Sequence, residues 1–217
     1  MMTLQEQLEQ VTNDTLPQLP AAILQKVDGG YRSMLDMELE SFALGVNDMA
    51  PDFSLPNAYG EPQQLSELLR TGSVVLTFYR GIWCPYCQVQ LRAYQKILPE
   101  MRENGAHLIA ISPQVPDTSL QTQNEWQLGF EVLSDVKNVV AGRYGICYDI
   151  PRDHVDLLEI IGFSLEKNYE DERAILPLAA TFVIDRGGYI RWCFVDRNYR
   201  KRAEPEAILA AIKALRT

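Results

Sequence analysis

Two cysteines two residues apart, Cys84 and Cys87, carry the chemistry that this sequence indicates most clearly. They follow an apolar run at residues 74–79 and begin an amphipathic segment, which predicts a position between a buried strand and a helix. Backbone N–H groups and the helix dipole stabilise a thiolate at a helix N-terminus. We therefore expect a lowered pKa and nucleophilic character at Cys84. Cys87 lies one turn further on the same face, close enough to attack an oxidised Cys84.

Two neighbours of the cysteines fit this interpretation. Pro85 suits the first helical turn, because it lacks an N–H group that would have no helical partner there. Arg80 either stabilises the thiolate or is a loop arginine that faces water, and the sequence leaves both readings open.

Other roles for the cysteines have less support in the sequence. A structural zinc site normally needs a second pair of ligands, but Cys147 and Cys193 are isolated in the sequence. Of the two histidines, His107 falls in an apolar strand, and His154 lacks an evident orienting partner for a Cys/His hydrolase. Two buried cysteines that only fill the core remain an alternative. We expect no metal, flavin or nucleotide cofactor, and we expect Cys147 and Cys193 to be inert.

Composition limits the function classes. The 217 residues are 47% hydrophobic and 23% charged, which is typical of a globular chain with a sizeable core. The net charge of -9 argues against binding to nucleic acid or an anionic membrane. The basic cluster from Arg197 to Arg202 is therefore interpreted as a solvated turn. With no secretory signal pattern and no apolar run near the roughly 20 residues of a membrane span, we expect a cytoplasmic protein.

The pattern of elements predicts an α/β sandwich of mixed strand pairing. Apolar runs at 74–79 and 107–111 flank the amphipathic cysteine segment, which indicates a β-α-β unit with parallel strands. A hairpin with a Gly187-Gly188 turn and a closing amphipathic helix from Pro205 follow later. Three further segments are assigned between these elements: a helix at 117–128, a strand at 130–133 and a helix at 136–144. Residues 147–175 are mixed and polar, and they give no assignment.

Residues 1–45 are predicted to form a separate N-terminal helical arm, and residues 46–217 the main domain. Two apolar stripes are separated by Pro17 and Pro20, and Gly29-Gly30 is expected to weaken the second helix. Such an arm cannot form a core alone. We expect it to pack on the main domain or on a second copy of the chain, and a homodimer is one alternative.

These residues resemble the alkyl hydroperoxide reductase and thiol-specific antioxidant group, the peroxiredoxin-like branch of the thioredoxin fold. The segments at 78–81 and 83–87 are similar to a bacterial peroxiredoxin-like subgroup, and 46–55, 65–69, 130–135 and 180–185 fit other family elements. Cys-Pro-Tyr-Cys is also the glutaredoxin signature. The resemblance implies a thioredoxin-like three-layer sandwich, with a mixed central sheet and flanking helices, to which this chain adds an N-terminal helical extension.

The resemblance also implies a thiol peroxidase. Cys84 would reduce hydrogen peroxide or an organic hydroperoxide and become a sulfenic acid, and Cys87 would close a disulfide that a thioredoxin- or glutaredoxin-like protein reduces. Trp83 and Tyr86 would form an apolar rim that contacts this partner. Two alternatives stay open: a protein disulfide oxidoreductase with the same thiols, and a redox-sensing binding protein whose disulfide switches a partner surface made by the arm.

Three positions depart from the family pattern. Typical members carry a Pro at the place of Thr77 and a Thr or Ser at the place of Gly81, so the hydroxyl that usually positions the peroxide is missing. An Arg, or in thioredoxins a cis-Pro, is expected near the start of the late strand, where this chain has Ala179. Arg80 is interpreted as a substitute for that cation.

Overall fold

The structure, a computed structural model, describes residues 2–170 and 173–215. The strands in this part of the chain are β1 (Ser54–Pro56), β2 (Pro62–Gln64), β3 (Ser73–Phe78), β4 (Ala106–Ser112), β5 (Glu131–Ser134), β6 (Cys147–Asp149), β7 (Ile175–Pro177), β8 (Ala179–Ile184) and β9 (Ile190–Asp196). The α-helices are α1 (Leu4–Thr15), α2 (Ala21–Leu35), α3 (Leu65–Thr71), α4 (Pro85–Glu103), α5 (Pro116–Trp126), α6 (Val139–Arg143), α7 (Arg152–Ile160), α8 (Leu165–Tyr169) and α9 (Pro205–Ala214).

Five of the strands form one mixed sheet in the order β5-β4-β3-β8-β9. β3, β4 and β5 are parallel, whereas β8 is antiparallel to both β3 and β9. Every residue of β3 and β8 is buried, which agrees with the unbroken apolar runs of strands that are covered on both faces. The predicted mixed α/β sandwich is confirmed, including the parallel β-α-β unit and the late hairpin.

The segments after β5 differ from the sequence assignment. The helix predicted at 136–144 is a 3-10 turn followed by the short helix α6, because Lys137 and Asn138 adopt left-handed φ angles of 67° and 56°. Asp135 caps the start of α6, where its carboxylate accepts the N–H groups of Val140 and Ala141. The unassigned residues 147–175 hold β6, α7 and α8 and reach β7, which pairs with β6.

The N-terminal arm packs on its own chain, the first of the two arrangements expected for it. Leu4 and Leu8 of α1 and Met34 of α2 are buried in the core. Glu204 accepts the N–H groups of Leu4 and Gln5 at 2.9 and 2.8 Å, so a carboxylate sits at the positive end of α1. The boundary at residue 45 and a homodimer remain predictions.

The Gly29-Gly30 pair does not interrupt α2, and the expected weakening of this helix remains a prediction. Instead it brings α2 close to α7: a Cβ atom on Gly30 would lie 2.3 Å from the ring of His154. At the same interface the Lys26 ammonium lies 2.5 Å from an Asp156 carboxylate oxygen. Glycine is therefore required here for helix packing. In the part of the chain described, no helix has the length and apolar character needed to span a membrane.

Candidate active site

Cys84 is the N-cap residue of α4, and Pro85 is the first residue of that helix. The two cysteines therefore occupy the predicted place between the end of a central strand and the start of a helix. Both are free thiols, and both are fully buried, with 0% exposure. The backbone carbonyl of Cys84 accepts the N–H of Cys87 at 3.1 Å.

Arg80 lies directly against the first sulfur. One of its terminal nitrogens, Nη2, is 3.0 Å from the Cys84 Sγ atom, and the whole residue is only 4% exposed. Its guanidinium stacks 4.1 Å from the ring centre of Tyr199 and 5.0 Å from that of Trp83. Of the two readings left open by the sequence, the solvent-facing loop arginine is wrong.

A second buried cation lies against the other sulfur. The Arg202 Nη2 atom is 3.6 Å from the Cys87 Sγ atom, and Arg202 is 3% exposed. The prediction of a solvated basic turn is wrong for this residue, because its Nε donates to the Gln90 side chain at 2.6 Å and one Nη1 bond goes to the Lys201 carbonyl at 2.7 Å. Among the described residues, no carboxylate forms an ion pair with Arg80 or Arg202.

The two thiols that face these cations differ in their pKa values, and one negative charge is expected for the pair. Burial raises the pKa of Cys84 well above its usual range, and the hydrogen bond between the thiols adds to this effect. Burial also opposes ionisation of Cys87, but the hydrogen bond from Cys84 and the charges of Arg202 and Arg80 outweigh it and hold its pKa well below the usual range. The expected lowering of the Cys84 pKa is thus wrong for this closed, reduced arrangement. The sequence predicted that Cys84 lies at a helix N-terminus, but it did not predict that this residue is buried.

Two polar atoms beside Cys84 have no hydrogen-bond partner. They are the Nε atom of Arg80 and the hydroxyl of Tyr148, and both residues are at least nine-tenths buried. The Tyr148 hydroxyl also interacts with the Arg80 guanidinium, which opposes the rise of the Tyr148 pKa that burial causes. Neither atom makes a hydrogen bond of normal geometry, so both are available to an oxygen atom that arrives next to the sulfur. Residue 81 has no room for a side chain that could supply such a donor. A Cβ atom on Gly81 would lie 2.6 Å from the Trp83 ring nitrogen.

Tyr169 of α8 holds the loop that precedes Cys84. Its hydroxyl accepts the ring N–H of Trp83 at 2.7 Å and donates to the Arg80 carbonyl at 2.6 Å. Tyr86 bonds the Thr12 hydroxyl at 2.9 Å and is 7% exposed, so it faces the arm. The Tyr86 part of the predicted partner-contacting rim is therefore covered by α1, whereas Trp83 is half-buried and packs against Phe163 at a ring distance of 6.0 Å. A role of this rim in contacting a partner remains a prediction.

A polar network in the core orients Arg202. The Gln90 amide donates to the Thr77 hydroxyl at 3.0 Å, and that hydroxyl lies 3.0 Å from the Thr181 hydroxyl. Thr77 thus helps to position the Arg202 guanidinium through Gln90. Ala179 begins β8, and no cis peptide bond occurs among the described residues.

The remaining candidates do not join the site. Burial raises the pKa of Cys147 to about 12 and also raises that of Cys193. His154 packs against Tyr199 at a ring distance of 5.7 Å, and burial lowers its pKa to about 4. In the described part of the chain, no three His, Cys, Asp or Glu side chains are grouped as a metal site would require.

Sequence reasoning missed Gln90, Arg202, Tyr148, Tyr169 and Tyr199. Two of these, Tyr148 and Tyr169, fall in the stretch that gave no assignment, and Tyr199 and Arg202 are distant in sequence from the cysteines. Gln90 lies three residues after Cys87, but no local pattern linked it to the site. The basic cluster from Arg197 to Arg202 was the one sequence signal for a role of Arg202. Because the chain as a whole is acidic, this cluster was interpreted as a solvated turn.

The sheet order and the cysteine pair at the N-terminus of α4 define a thioredoxin-like fold. A family model described as the AhpC/TSA family matches residues 46–193, and the chain belongs to this family. It is a peroxiredoxin-like protein, as the sequence resemblance predicted. The match leaves out the arm as well as Tyr199 and Arg202.

Known relatives carry two kinds of name. Peroxiredoxin Bcp of Escherichia coli strain K12 is 29% identical over 103 residues, which are 48% of this chain and 65% of that protein. Thiol-disulfide oxidoreductase ResA of Geobacillus kaustophilus is 27% identical over 163 residues, which are 75% of this chain and 76% of that protein. The chain thus spans just under two thirds of the peroxiredoxin relative's length. Both names describe oxidoreductases.

Solved structures confirm the fold. The crystal structure of peroxidoxin BcpB from Mycobacterium tuberculosis superimposes with a TM-score of 0.63 at 22% identity, and the match covers 80% of this chain and 99% of that one. Peroxiredoxin Q of Xanthomonas campestris gives a TM-score of 0.59 at 17% identity, over 78% of this chain and 97% of that one.

Proposed function

We propose that the protein is a thiol peroxidase in which Cys84 reduces a hydroperoxide and Cys87 resolves the product. The observation that carries this proposal is the contact of 3.0 Å between the Arg80 guanidinium and the Cys84 sulfur. The same guanidinium keeps an unpartnered Nε atom, and the Tyr148 hydroxyl beside it is also unpartnered. A thiolate, a fixed cation and free donors for oxygen are what cleavage of an O–O bond requires.

The first step is a proton transfer within the pair. The Cys84 proton crosses the thiol–thiol hydrogen bond to the Cys87 thiolate, and Arg80 stabilises the new Cys84 thiolate. This thiolate attacks the terminal peroxide oxygen and the O–O bond breaks, which gives a sulfenic acid and an alkoxide, or hydroxide from hydrogen peroxide. That anion takes the proton back from Cys87 and leaves as an alcohol or water.

The second step closes the disulfide. The regenerated Cys87 thiolate attacks the Cys84 sulfur, and the hydroxide that leaves takes a proton from solvent to become water. An external thioredoxin- or glutaredoxin-like dithiol protein would then reduce the disulfide and return both thiols. Because both sulfurs are fully buried, this partner needs the residues that cover them to move. No cofactor enters this cycle. A cytoplasmic location remains a prediction.

Thiol-disulfide exchange without peroxide is the second candidate. The Cys-Pro-Tyr-Cys motif and the absence of a hydroxyl at Gly81 favour it. The relative named ResA, which aligns with three quarters of the chain, favours it as well.

Stopped-flow oxidation of the reduced protein by hydrogen peroxide and by an alkyl hydroperoxide tests the proposal. We expect rapid loss of two thiols per protein, and we expect Cys87→Ser to trap one added oxygen on Cys84 in a mass spectrum. Cys84→Ser should be inactive, and Cys193→Ser serves as the matched control with normal rates. Sluggish oxidation by both peroxides, together with efficient reduction of insulin disulfides, would instead establish the exchange activity.

A further inference from the structure

The loop between β9 and α9, residues 197–204, contacts both arginines that face the thiol pair. In this loop, the Tyr199 ring centre lies 4.1 Å from the Arg80 guanidinium. The backbone carbonyl of the same residue accepts a hydrogen bond from the Arg202 Nη1 atom. Tyr199 is 5% exposed, so both contacts lie in the interior. One residue thus touches both of the cations that face the sulfurs.

Arg80 needs a support of this kind. Among the described residues no carboxylate pairs with it, and its Nε atom has no hydrogen-bond partner. The faces of Tyr199 and Trp83 pack on its guanidinium, and Tyr199 is the nearer of the two rings. Arg80 also lines an apolar cavity of about 240 Å³ between the N-terminal arm and the cysteine segment. This cavity leaves room for the side chain to turn away from Cys84, so the Tyr199 ring is needed to keep it in place.

The same loop fixes the second cation. In addition to the Tyr199 carbonyl, Arg202 donates to the Lys201 carbonyl at 2.7 Å. The Asn198 side chain accepts the N–H of Arg200, and the Asn198 carbonyl accepts the N–H of Lys201, each at 2.9 Å. These bonds close the loop into a compact turn. The position of the Arg202 guanidinium therefore depends on where this loop lies.

The N-terminal arm anchors the loop at two points. The Tyr31 ring of α2 packs edge-on against the Tyr199 ring at a centre distance of 5.4 Å. Glu40 accepts the backbone N–H and the Nε of Arg197 at 2.8 and 2.9 Å. All four residues lie outside residues 46–193, which the family model matches. The support of the two cations is thus a feature of this chain and not of the shared fold.

We propose that Tyr199 is a positioning residue for the thiol pair. Its ring holds the first cation, Arg80, against Cys84. The loop that this ring anchors holds the second cation, Arg202, against Cys87. The inference rests on the proposed function only for its effect on turnover, since the positioning acts on the charge of the thiols themselves.

The ionisation of the thiols reports the positions of these cations. Three buried tyrosines also face the pair, and they are Tyr79, Tyr148 and Tyr169. Burial raises the pKa of each of them, so these groups are neutral near neutral pH and the arginines carry the charge. A displaced arginine should therefore raise the pH at which the first thiol ionises.

Thiolate absorbance of the reduced protein, followed against pH, tests the inference without turnover. Tyr199→Leu removes the aromatic face, so the first thiol should ionise at higher pH and oxidation by hydrogen peroxide should slow about tenfold. Tyr199→Phe keeps the ring and should restore the wild-type titration and rate. Tyr189→Leu is the matched control and should change neither, because Tyr189 stacks on Arg191 at 5.2 Å and is 40% exposed.

A double-mutant comparison separates positioning from a purely structural role. A structural role would lower the free energy of unfolding without moving the thiol titration of the folded protein. If Tyr199 acts through the cations, Tyr199→Leu should shift the titration less in Arg80→Gln and in Arg202→Gln than in the wild-type protein. Tyr199→Met is a second variant, whose longer side chain fills more of the space of the ring without an aromatic face. It should give the same shift as Tyr199→Leu.

An unmoved thiol titration in folded Tyr199→Leu or Tyr199→Met would overturn the inference. A shift that is fully additive with Arg80→Gln would overturn it as well. If the titration shifts as expected but no peroxide is reduced, the peroxidase function fails and the positioning role of Tyr199 is still supported.

Discussion

At the scale of single residues, the site depends on two buried guanidinium groups that face two thiols. An unpaired buried cation is costly, and in the described part of the chain neither Arg80 nor Arg202 has a carboxylate partner. The sulfurs lie 3.0 Å and 3.6 Å from these cations, and the one negative charge of the thiol pair offsets part of this cost. Hydrogen bonds from Arg202 to Gln90 and to the Lys201 carbonyl, and the stacking of Arg80 on Tyr199, offset more of it.

Tyr148→Phe tests the role of the unpartnered hydroxyl. Removing a buried hydroxyl that has no partner should leave the free energy of unfolding unchanged or raise it. The rate of peroxide reduction should fall about tenfold, because one donor to the peroxide oxygen is lost. Tyr144→Phe, which removes another buried tyrosine hydroxyl, is the control and should leave the rate unchanged. An unaltered rate in Tyr148→Phe would remove this hydroxyl from the mechanism.

At the scale of elements, the packing of α2 on α7 holds the arm over the site. His154 stands at this contact, against Gly30 of α2 and the Tyr199 ring. Burial is the largest cause of its low pKa, and the charge of Arg80 lowers the pKa further. A hydrogen bond to the Val27 backbone and the charge of Asp153 act in the opposite direction, whereas Arg200 acts in the same direction as Arg80. Protonation of His154 should therefore loosen the arm.

The pH dependence of unfolding tests this contact. Because the His154 pKa is about 4 in the folded protein and 6.5 in the unfolded chain, its contribution is intact above pH 6.5 and is lost as the pH falls toward 4. The full loss is about 3 kcal/mol. His154→Phe should remove that part of the pH dependence in denaturant titrations.

His107→Phe is the control for this prediction, because His107 is less buried and bonds the Thr71 hydroxyl. It should change the pH dependence much less. Equal pH dependence in the wild-type protein and His154→Phe would contradict the assignment.

At the scale of the whole molecule, the sequence predicted the framework and the cysteine pair but not the surroundings of the pair. Apolar runs identified β3 and β4 because strands covered on both faces need no alternation. The sequence did not predict the short elements between residues 147 and 175, since each is stabilised by contacts to distant segments. Tyr148 and Tyr169, which lie beside Arg80 in the site, belong to that region.

The placement of Arg202 shows the same limit. It lies more than a hundred residues after Cys87 and reaches the sulfur through a loop whose course no local pattern encodes. The arm was correctly expected to pack, but the cavity beneath it depends on how α1, α2 and α7 meet. The pKa of Cys84 was misjudged for this reason, because burial by these elements is a property of the assembled chain.

The shared charge of the thiol pair is tested most directly by an ultraviolet titration of thiolate absorbance in the reduced protein, with Arg80→Gln beside it. We expect one thiolate per protein to persist below neutral pH and the second thiol to ionise only in strongly alkaline solution. Arg80→Gln should move the first transition upward. Two thiols that ionise together near the ordinary cysteine range, unaffected by Arg80→Gln, would contradict the account.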